Sequence, residues 1–364
     1  MRRIVLRAVI ALSVTAIGVL GYLYVHGDFQ RWSDNSALDA ACGGLLDRDV
    51  VRGVLGSGEV KVKETAENKR YWDMVASCWV HVDGGGTAEI RVVDAASVGE
   101  NVDSLYRADG SDDLAVPVGY GWSGVLGADL DEPEEPEDVT VSLVLDCAEG
   151  SKAAALSITV ETSLPDATLD DPANRPGYAR IATSTAAKVS KKQECGAELG
   201  LPVRRLGLPV SEDSHKPLRA ADGTCSGIPT AQGVSVATET DRGGAPYEIC
   251  RLSDADARAR YLLKARFGPY AQEMYSNYQV LSHGRVTPSP GVPAQQRAAD
   301  GTISWTSAKC RDGLALFTLQ PYAATDDDRK GIASTPGRAY ERSALKVFAE
   351  RSAKAHGCSA PAKL

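Results

Sequence analysis

Eight cysteines form the pattern that most restricts how this chain folds, with four in each half of 364 residues. The third and fourth of each set are separated by 48 positions in both halves. The even number, wide spacing and lack of C-x-x-C pairs are typical of structural disulfides in an oxidising compartment. Three pairings exist within each half, and the shared spacing favours Cys42–Cys78, Cys147–Cys195, Cys225–Cys250 and Cys310–Cys358.

The residues around these cysteines also recur. A strand, a turn with glycine and a second strand surround the third cysteine, at 139–146 with 155–161 and at 303–309 with 314–320. A Pro-Gly pair then precedes residues at helical spacing, at 176–177 and 336–337. We therefore expect an α+β fold with two duplicated domains, each an antiparallel sheet with a packed C-terminal helix. The predicted order is a domain at 37–195, a connector at 196–221, a domain at 222–358 and a tail at 359–364.

The N-terminus predicts a single-pass signal-anchor. Three arginines precede an apolar stretch at 8–25, which as a helix spans ~27 Å, close to the thickness of a bilayer core. Positive charge before the stretch predicts a cytoplasmic tip at 1–7, a transmembrane helix, and a juxtamembrane linker at 26–36 outside. The alternatives are a cleaved signal peptide, for which the segment His26–Trp32 is a poor cleavage site, and a buried core helix.

Charge and motifs exclude several classes of function. The whole chain has a net charge of -8, and its first 31 residues carry a net charge of +3, so the remaining part carries -11 and repels nucleic acid. Signatures of zinc proteases, P-loops, dinucleotide sites and EF-hands are absent. Ser123 lies in G-W-S-G-V, which lacks the final glycine of a nucleophile elbow and predicts a turn. The acidic run at 129–138 predicts a solvated loop. We therefore predict no catalytic residue, cofactor or metal site.

Several short motifs resemble a known group of proteins. They are C-G-G-L-L followed by V-x-x-V-L-G (Cys42–Gly56), S-C-W (Ser77–Trp79), G-T-C (Gly223–Cys225), C-x-L (Cys250–Leu252) and F-G-P-Y-A (Phe267–Ala271). The chain resembles membrane-anchored, tandem-domain exported proteins of unknown function from actinobacteria of the Streptomyces type, and is similar in pattern to uncharacterised actinobacterial lipoproteins. It lacks their lipid-modified cysteine. The resemblance implies an envelope protein and supplies no catalytic residues.

One stretch of the second half is rich in residues that interfaces favour. Arg266, Tyr270, Tyr275 and Tyr278 surround a Gly-Pro break, which predicts a loop with exposed rings that binds a partner. The alternative is a regular element whose Tyr261 and Phe267 fill a core, with the exposed tyrosines on a loop that has no binding role. The expected function is a non-catalytic binding or scaffold module of the cell envelope. Its partners would be the membrane, through the N-terminal helix, and an envelope protein or cell-wall glycan. The alternatives are an envelope hydrolase whose site shows no motif, and a purely structural envelope protein.

The arginine asymmetry makes topology testable. Because positive charge holds the N-terminus in the cytoplasm, protease added to intact protoplasts should remove the residues beyond about 26. Full protection would contradict export and the oxidising compartment that the cysteines need. A mature N-terminus near residue 30 would show that the anchor is cleaved.

Overall fold

The computed structural model describes residues 28–64, 74–94, 114–128, 138–165, 167–211, 213–272, 274, 303–311, 313–321 and 337–364. Two antiparallel sheets, one from each half of the chain, dominate these residues. Four α-helices and one short 3₁₀ helix accompany them.

The first sheet has seven strands in the order β1-β2-β3-β7-β6-β5-β4. Their bounds are β1 Val60–Glu64, β2 Met74–Val82, β3 Thr87–Asp94, β4 Val116–Gly119, β5 Trp122–Ala128, β6 Asp138–Asp146 and β7 Ala155–Ser163. Three helices cover one face: α1 Asp28–Gly44, α2 Arg48–Leu55 and α3 Arg175–Lys192. The alternating residues Leu156, Ile158 and Val160 of β7 point toward these helices and are fully buried, as their spacing of two requires.

The second sheet has six strands in the order β12-β13-β11-β10-β9-β8. Their bounds are β8 Lys216–Pro217, β9 Val236–Glu239, β10 Tyr247–Ser253, β11 Ala259–Phe267, β12 Ser304–Cys310 and β13 Gly313–Pro321. The 3₁₀ helix Leu218–Ala220 follows β8, and helix α4, Gly337–Ala355, packs across β11, β12 and β13. Ala344, Phe348 and Ala349 of α4 are fully buried against this sheet.

Local sequence explains where the helices begin and end. The Asp47 carboxylate accepts hydrogen bonds from the backbone N–H groups of Asp49 and Val50, which caps the N-terminus of α2. Gly56, with a φ of 115°, ends the helix in a conformation that a side chain disfavours. In α3, Pro176 lies in the first turn, where its missing N–H has no intrahelical partner to lose.

The two sheets pack face to face, with the helices on the outside. Val93 and Val144 of the first sheet share a buried cluster with Tyr247, Ile249 and Leu262 of the second. The chain therefore forms four layers in the order helix, sheet, sheet, helix. A second contact lies at the edge strand β4, where Gly243 approaches Pro117 so closely that an added Cβ would lie 2.6 Å from the proline ring.

All eight cysteines form disulfides within their own half. The pairs are Cys42–Cys78, Cys147–Cys195, Cys225–Cys250 and Cys310–Cys358, which confirms the favoured pairing. In both halves the bond that spans 48 positions joins a strand hairpin to the segment after the last helix. The duplicated spacing thus has a common structural cause.

The predicted fold class was wrong. The described chain is mostly antiparallel sheet. Five strands follow the same order in both halves, β1-β2-β3-β7-β6 and β9-β10-β11-β13-β12, but the first sheet adds β5 and β4 at one edge and the second adds β8 at the other. Strands β4 and β5 contain Pro117, Gly124 and Gly127, which interrupt the alternation that reveals a strand. No helix among the described residues is long and apolar enough to cross a membrane. The predicted transmembrane segment at 8–25 lies outside those residues.

The disulfide Cys147–Cys195 should stabilise the first half strongly. It closes a loop of 48 positions, so the double replacement Cys147→Ser/Cys195→Ser should lower the free energy of unfolding by about 4 kcal/mol in the chain-entropy model. Denaturant unfolding would measure the loss. Cys310→Ser/Cys358→Ser is the matched control in the second half and should lose a similar amount. A peptide map with a bond between the halves would contradict the pairing.

Candidate functional site

The structure buries two of the four residues that were predicted to form an exposed binding cluster. Arg266 and Tyr270 are buried between the two sheets, with the Tyr270 ring stacked on Tyr247 at a centroid distance of 6.1 Å. The Arg266 guanidinium lies 5.1 Å from the centroid of the same Tyr247 ring. The predicted exposure of Arg266 and Tyr270 was therefore wrong, because this side of β11 faces the first sheet. Tyr275 and Tyr278 lie outside the described residues.

An open cleft of about 1050 Å³ lies instead between the two halves. The first half contributes the β6–β7 turn at 146–155 together with Gly196 and Glu198. The second half contributes the turn and short helical segment after β11, at 268–272, and the β12–β13 turn around Arg311 and Leu314. Its volume is at the upper end of the range usual for ligand sites in proteins. Residues of both halves therefore build this concave surface together.

Disulfides hold both walls of the cleft. Cys147 anchors the β6–β7 turn to Cys195, and the backbone N–H of Ala148 donates to the Cys195 carbonyl at 2.7 Å. Cys310 anchors the β12–β13 turn to Cys358 in the corresponding way. Two turns with the same place in the duplicated plan therefore face each other across the opening, and neither can move far from its helix.

The cleft surface carries charges of both signs. Glu149 and Glu198 are exposed carboxylates, and Lys152 and Arg311 are exposed cations. Such a lining offers hydrogen-bond donors and acceptors to a polar ligand without a dominant electrostatic sign. Among the residues that the structure describes, no three metal-ligating side chains are grouped so that they could hold an ion.

A buried ionic network supports the wall from the second half. Glu248 of β10 accepts hydrogen bonds from Ser352 and from Arg242, whose Nη1 lies 3.3 Å from Oε2. His356 lies with Nε2 3.1 Å from Glu248 Oε1, and its ring stacks on Phe267 at a centroid distance of 3.6 Å. Burial by itself raises the pKa of Glu248, but the His356 and Ser352 hydrogen bonds and the Arg242 charge lower it overall.

Ser123 and His356 line a cavity of about 80 Å³ that adjoins the cleft. Ser123 is part of strand β5, so the predicted turn at this position was wrong. The imidazole already contacts Glu248 and Phe267. No hydrogen bond joins Ser123 to a histidine in the described portion of the chain. The cleft residues match no known functional motif, so the sequence analysis did not identify them as a site. The pattern that could have identified them is the Cys-x-x-Gly turn, which occurs once in each half.

The Glu248 network predicts a dependence of stability on pH. The pKa of Glu248 is lower in the folded protein than in the unfolded chain. The contribution of Glu248 to the free energy of unfolding is therefore complete above the unfolded pKa of about 4.3 and is lost as the pH falls through the folded pKa. Glu248→Gln leaves Arg242 without its buried partner and should cost about 3 kcal/mol near neutral pH. Urea unfolding measures the free energy of unfolding of both proteins, and the difference between wild type and Glu248→Gln should shrink below about pH 4.

The matched control for this prediction is Glu350→Gln. Glu350 lies on the exposed side of α4, with Oε1 3.9 Å from Lys346 Nζ. Because exposed ion pairs contribute little to stability, the free energy of unfolding of Glu350→Gln should be within about 0.5 kcal/mol of the wild-type value at every pH. Equal losses for the two variants would show that the Glu248 network does not stabilise the fold.

Comparison with protein-family models, with curated proteins and with solved structures finds no match to this chain. The resemblance to actinobacterial exported proteins therefore stays a prediction from the motifs.

Proposed function

We propose that the protein is a non-catalytic binding module of the cell envelope, held at the membrane by the segment 8–25 with its C-terminal part outside. It captures an envelope protein or a cell-wall component in the cleft between its two halves. The observation that carries this proposal is that equivalent disulfide-anchored turns of both halves line one opening. A site that needs both halves gives a reason for their packing in one rigid unit.

The character of the cleft favours binding over catalysis. Four of its five charged side chains, Glu149, Lys152, Glu198 and Arg311, are exposed and only Asp146 is half-buried, so water screens most of their interactions with one another. Enzymes usually work with buried groups whose pKa values are strongly shifted. The strongest buried ionic group near the cleft, Glu248, is already engaged by three side chains. An open polar cleft of this kind suits recognition of an extended partner.

The path of the chain favours a cleft that faces away from the membrane. Asp34 of α1 accepts a hydrogen bond from the backbone N–H of Val60 at 3.2 Å, so the first helix begins near that end of the first sheet. Successive antiparallel pairings place Asp138 at the same end and Asp146 at the other. Nine residues of strand β6 span about 30 Å. An anchor just before Asp28 would therefore leave the cleft exposed to the envelope.

Site-specific crosslinking tests the proposal. A benzophenone amino acid at Ala154, an exposed cleft residue, should crosslink the full-length protein to a defined partner in its own envelope. The same group at Ala220, an exposed residue of the 3₁₀ helix, is the control and should not. Ala154→Trp should block capture by filling the cleft, whereas Ala220→Trp should not. Both variants should melt within about 2 °C of wild type because surface changes cost little.

Two outcomes would contradict the proposal. Equal crosslinking from Ala154 and Ala220 would show that the cleft is not the contact surface. Release of soluble fragments from cell walls by the wild type, with loss of that activity in Glu149→Gln or Glu198→Gln, would favour the envelope hydrolase. Absence of any partner at Ala154, with a correctly folded and exported protein, would favour a purely structural role.

A further inference from the structure

A second surface, independent of the cleft, lies on the first sheet. The second sheet covers the inner face of the first sheet near Val93 and Val144. Toward the Val60 end the same face is open, and Trp79 keeps 36% of its surface exposed there. Single exposed apolar side chains are common on protein surfaces, so the groups around the Trp79 ring, and not its exposure alone, indicate what this part of the sheet can bind.

The Trp79 ring belongs to a flat and well-supported surface. Trp79 and His81 alternate on the same side of β2, and their ring planes are within 2° of parallel, with centroids 5.5 Å apart. Cys78 and Val80 point to the opposite side and are fully buried, with Cys78 bonded to Cys42. Strand β2 is also paired on both sides, so the backbone beneath the rings is rigid.

A contact with Asp83 holds the second ring in place. Asp83 Oδ1 lies 3.1 Å from His81 Nε2 and 2.8 Å from Lys61 Nζ. The hydrogen bond from Lys61 is the largest cause that lowers the pKa of Asp83, so the carboxylate stays charged and holds both partners. Asp83 thus joins the His81 ring beside Trp79 to the Lys61 ammonium group.

The neighbours of the rings are polar and nearly neutral in sum. Across the strands, Trp79 is opposite Lys63 on one side and Glu89 on the other. Glu89 Oε1 also lies 2.5 Å from Arg91 Nη2. The surface thus offers an apolar plate bordered by paired donors and acceptors. The surface has little net positive charge that would attract a polyanion. The residues paired with Trp79 on the neighbouring strands, Lys63 and Glu89, are charged, so the surface also offers little to an apolar protein segment.

We propose that this surface, Trp79 with His81, Lys63, Glu89 and Arg91, binds a neutral β-linked polysaccharide built of hexose or N-acetylhexosamine units. One face of such a sugar ring presents mainly C–H groups, and this apolar face packs on an aromatic ring. Its hydroxyl groups lie at the ring edge, where they meet the carboxylate of Glu89 and the cations of Lys63 and Arg91. The balance of charge on the surface matches the absence of charge on the ligand.

Oligosaccharide titration tests this proposal on the full-length protein in detergent. Chitohexaose and cellohexaose are the probes, and calorimetry measures the dissociation constant. Loss of a stacking ring costs about tenfold or more in affinity, so Trp79→Ala should weaken binding by at least that factor. Trp79→Phe keeps an aromatic plane and should retain most of the affinity. Glu89→Gln should weaken binding by a smaller factor, with no change in the melting temperature.

Trp32→Ala is the matched control, since Trp32 is also an exposed tryptophan in the described part of the chain, at 68%. It should bind both oligosaccharides as the wild type does. Failure of the wild type to bind either neutral probe would overturn the proposal. So would equal binding by Trp79→Ala, equal loss in Trp32→Ala, or tighter binding of dextran sulfate than of the neutral probes. The cleft variant Ala154→Trp should keep oligosaccharide binding, which separates this surface from the cleft.

Discussion

Burial of one sheet face against the other is the contact on which the rest of the structure depends. Each sheet already packs helices on its outer face, so the inner faces would stay in water if the halves were apart. The contact is mixed in character: Tyr247, Ile249 and Leu262 pack among Val93 and Val144. Around them lie buried hydroxyl groups, such as the Ser142 and Thr159 pair at 3.4 Å. Burying such polar groups is costly unless they find partners, which restricts the two sheets to few relative positions.

The disulfides stabilise each half separately and do not contribute to the contact between the sheets. Each stays within one half, so none of them fixes how the halves meet. Cys147–Cys195 and Cys310–Cys358 instead fasten a hairpin to the end of a helix in each half, which keeps the turns in shape. Packing of the sheets then brings these prepared turns to the two sides of one cleft. Local crosslinks and long-range packing thus make separate contributions to the same surface.

The polar side of the first sheet illustrates how one strand can serve two purposes. Residues of β2 that point toward the helices, such as Cys78 and Val80, belong to the core. Those that point the other way meet the second sheet near Met74 and meet water near Trp79. The offset between the sheets therefore decides which residues of this face are core and which form a binding surface. A small change in that offset would convert one into the other.

The sequence by itself determined the strands of 139–146 and 155–161 and the helices after the two Pro-Gly pairs, and it favoured, among three pairings in each half, the disulfides that the structure contains. Each follows from local patterns: cysteine spacing, alternation of two, or helical periodicity. The fold class was mispredicted because Gly and Pro in β4 and β5 hide those strands from alternation. The exposure of Arg266 and Tyr270 was mispredicted for another reason. Whether they face water depends on a sheet from the other half, more than a hundred positions away, and no local pattern reports it. The cleft and the Trp79 surface likewise exist only where distant strands are brought together, so tertiary structure alone decided them.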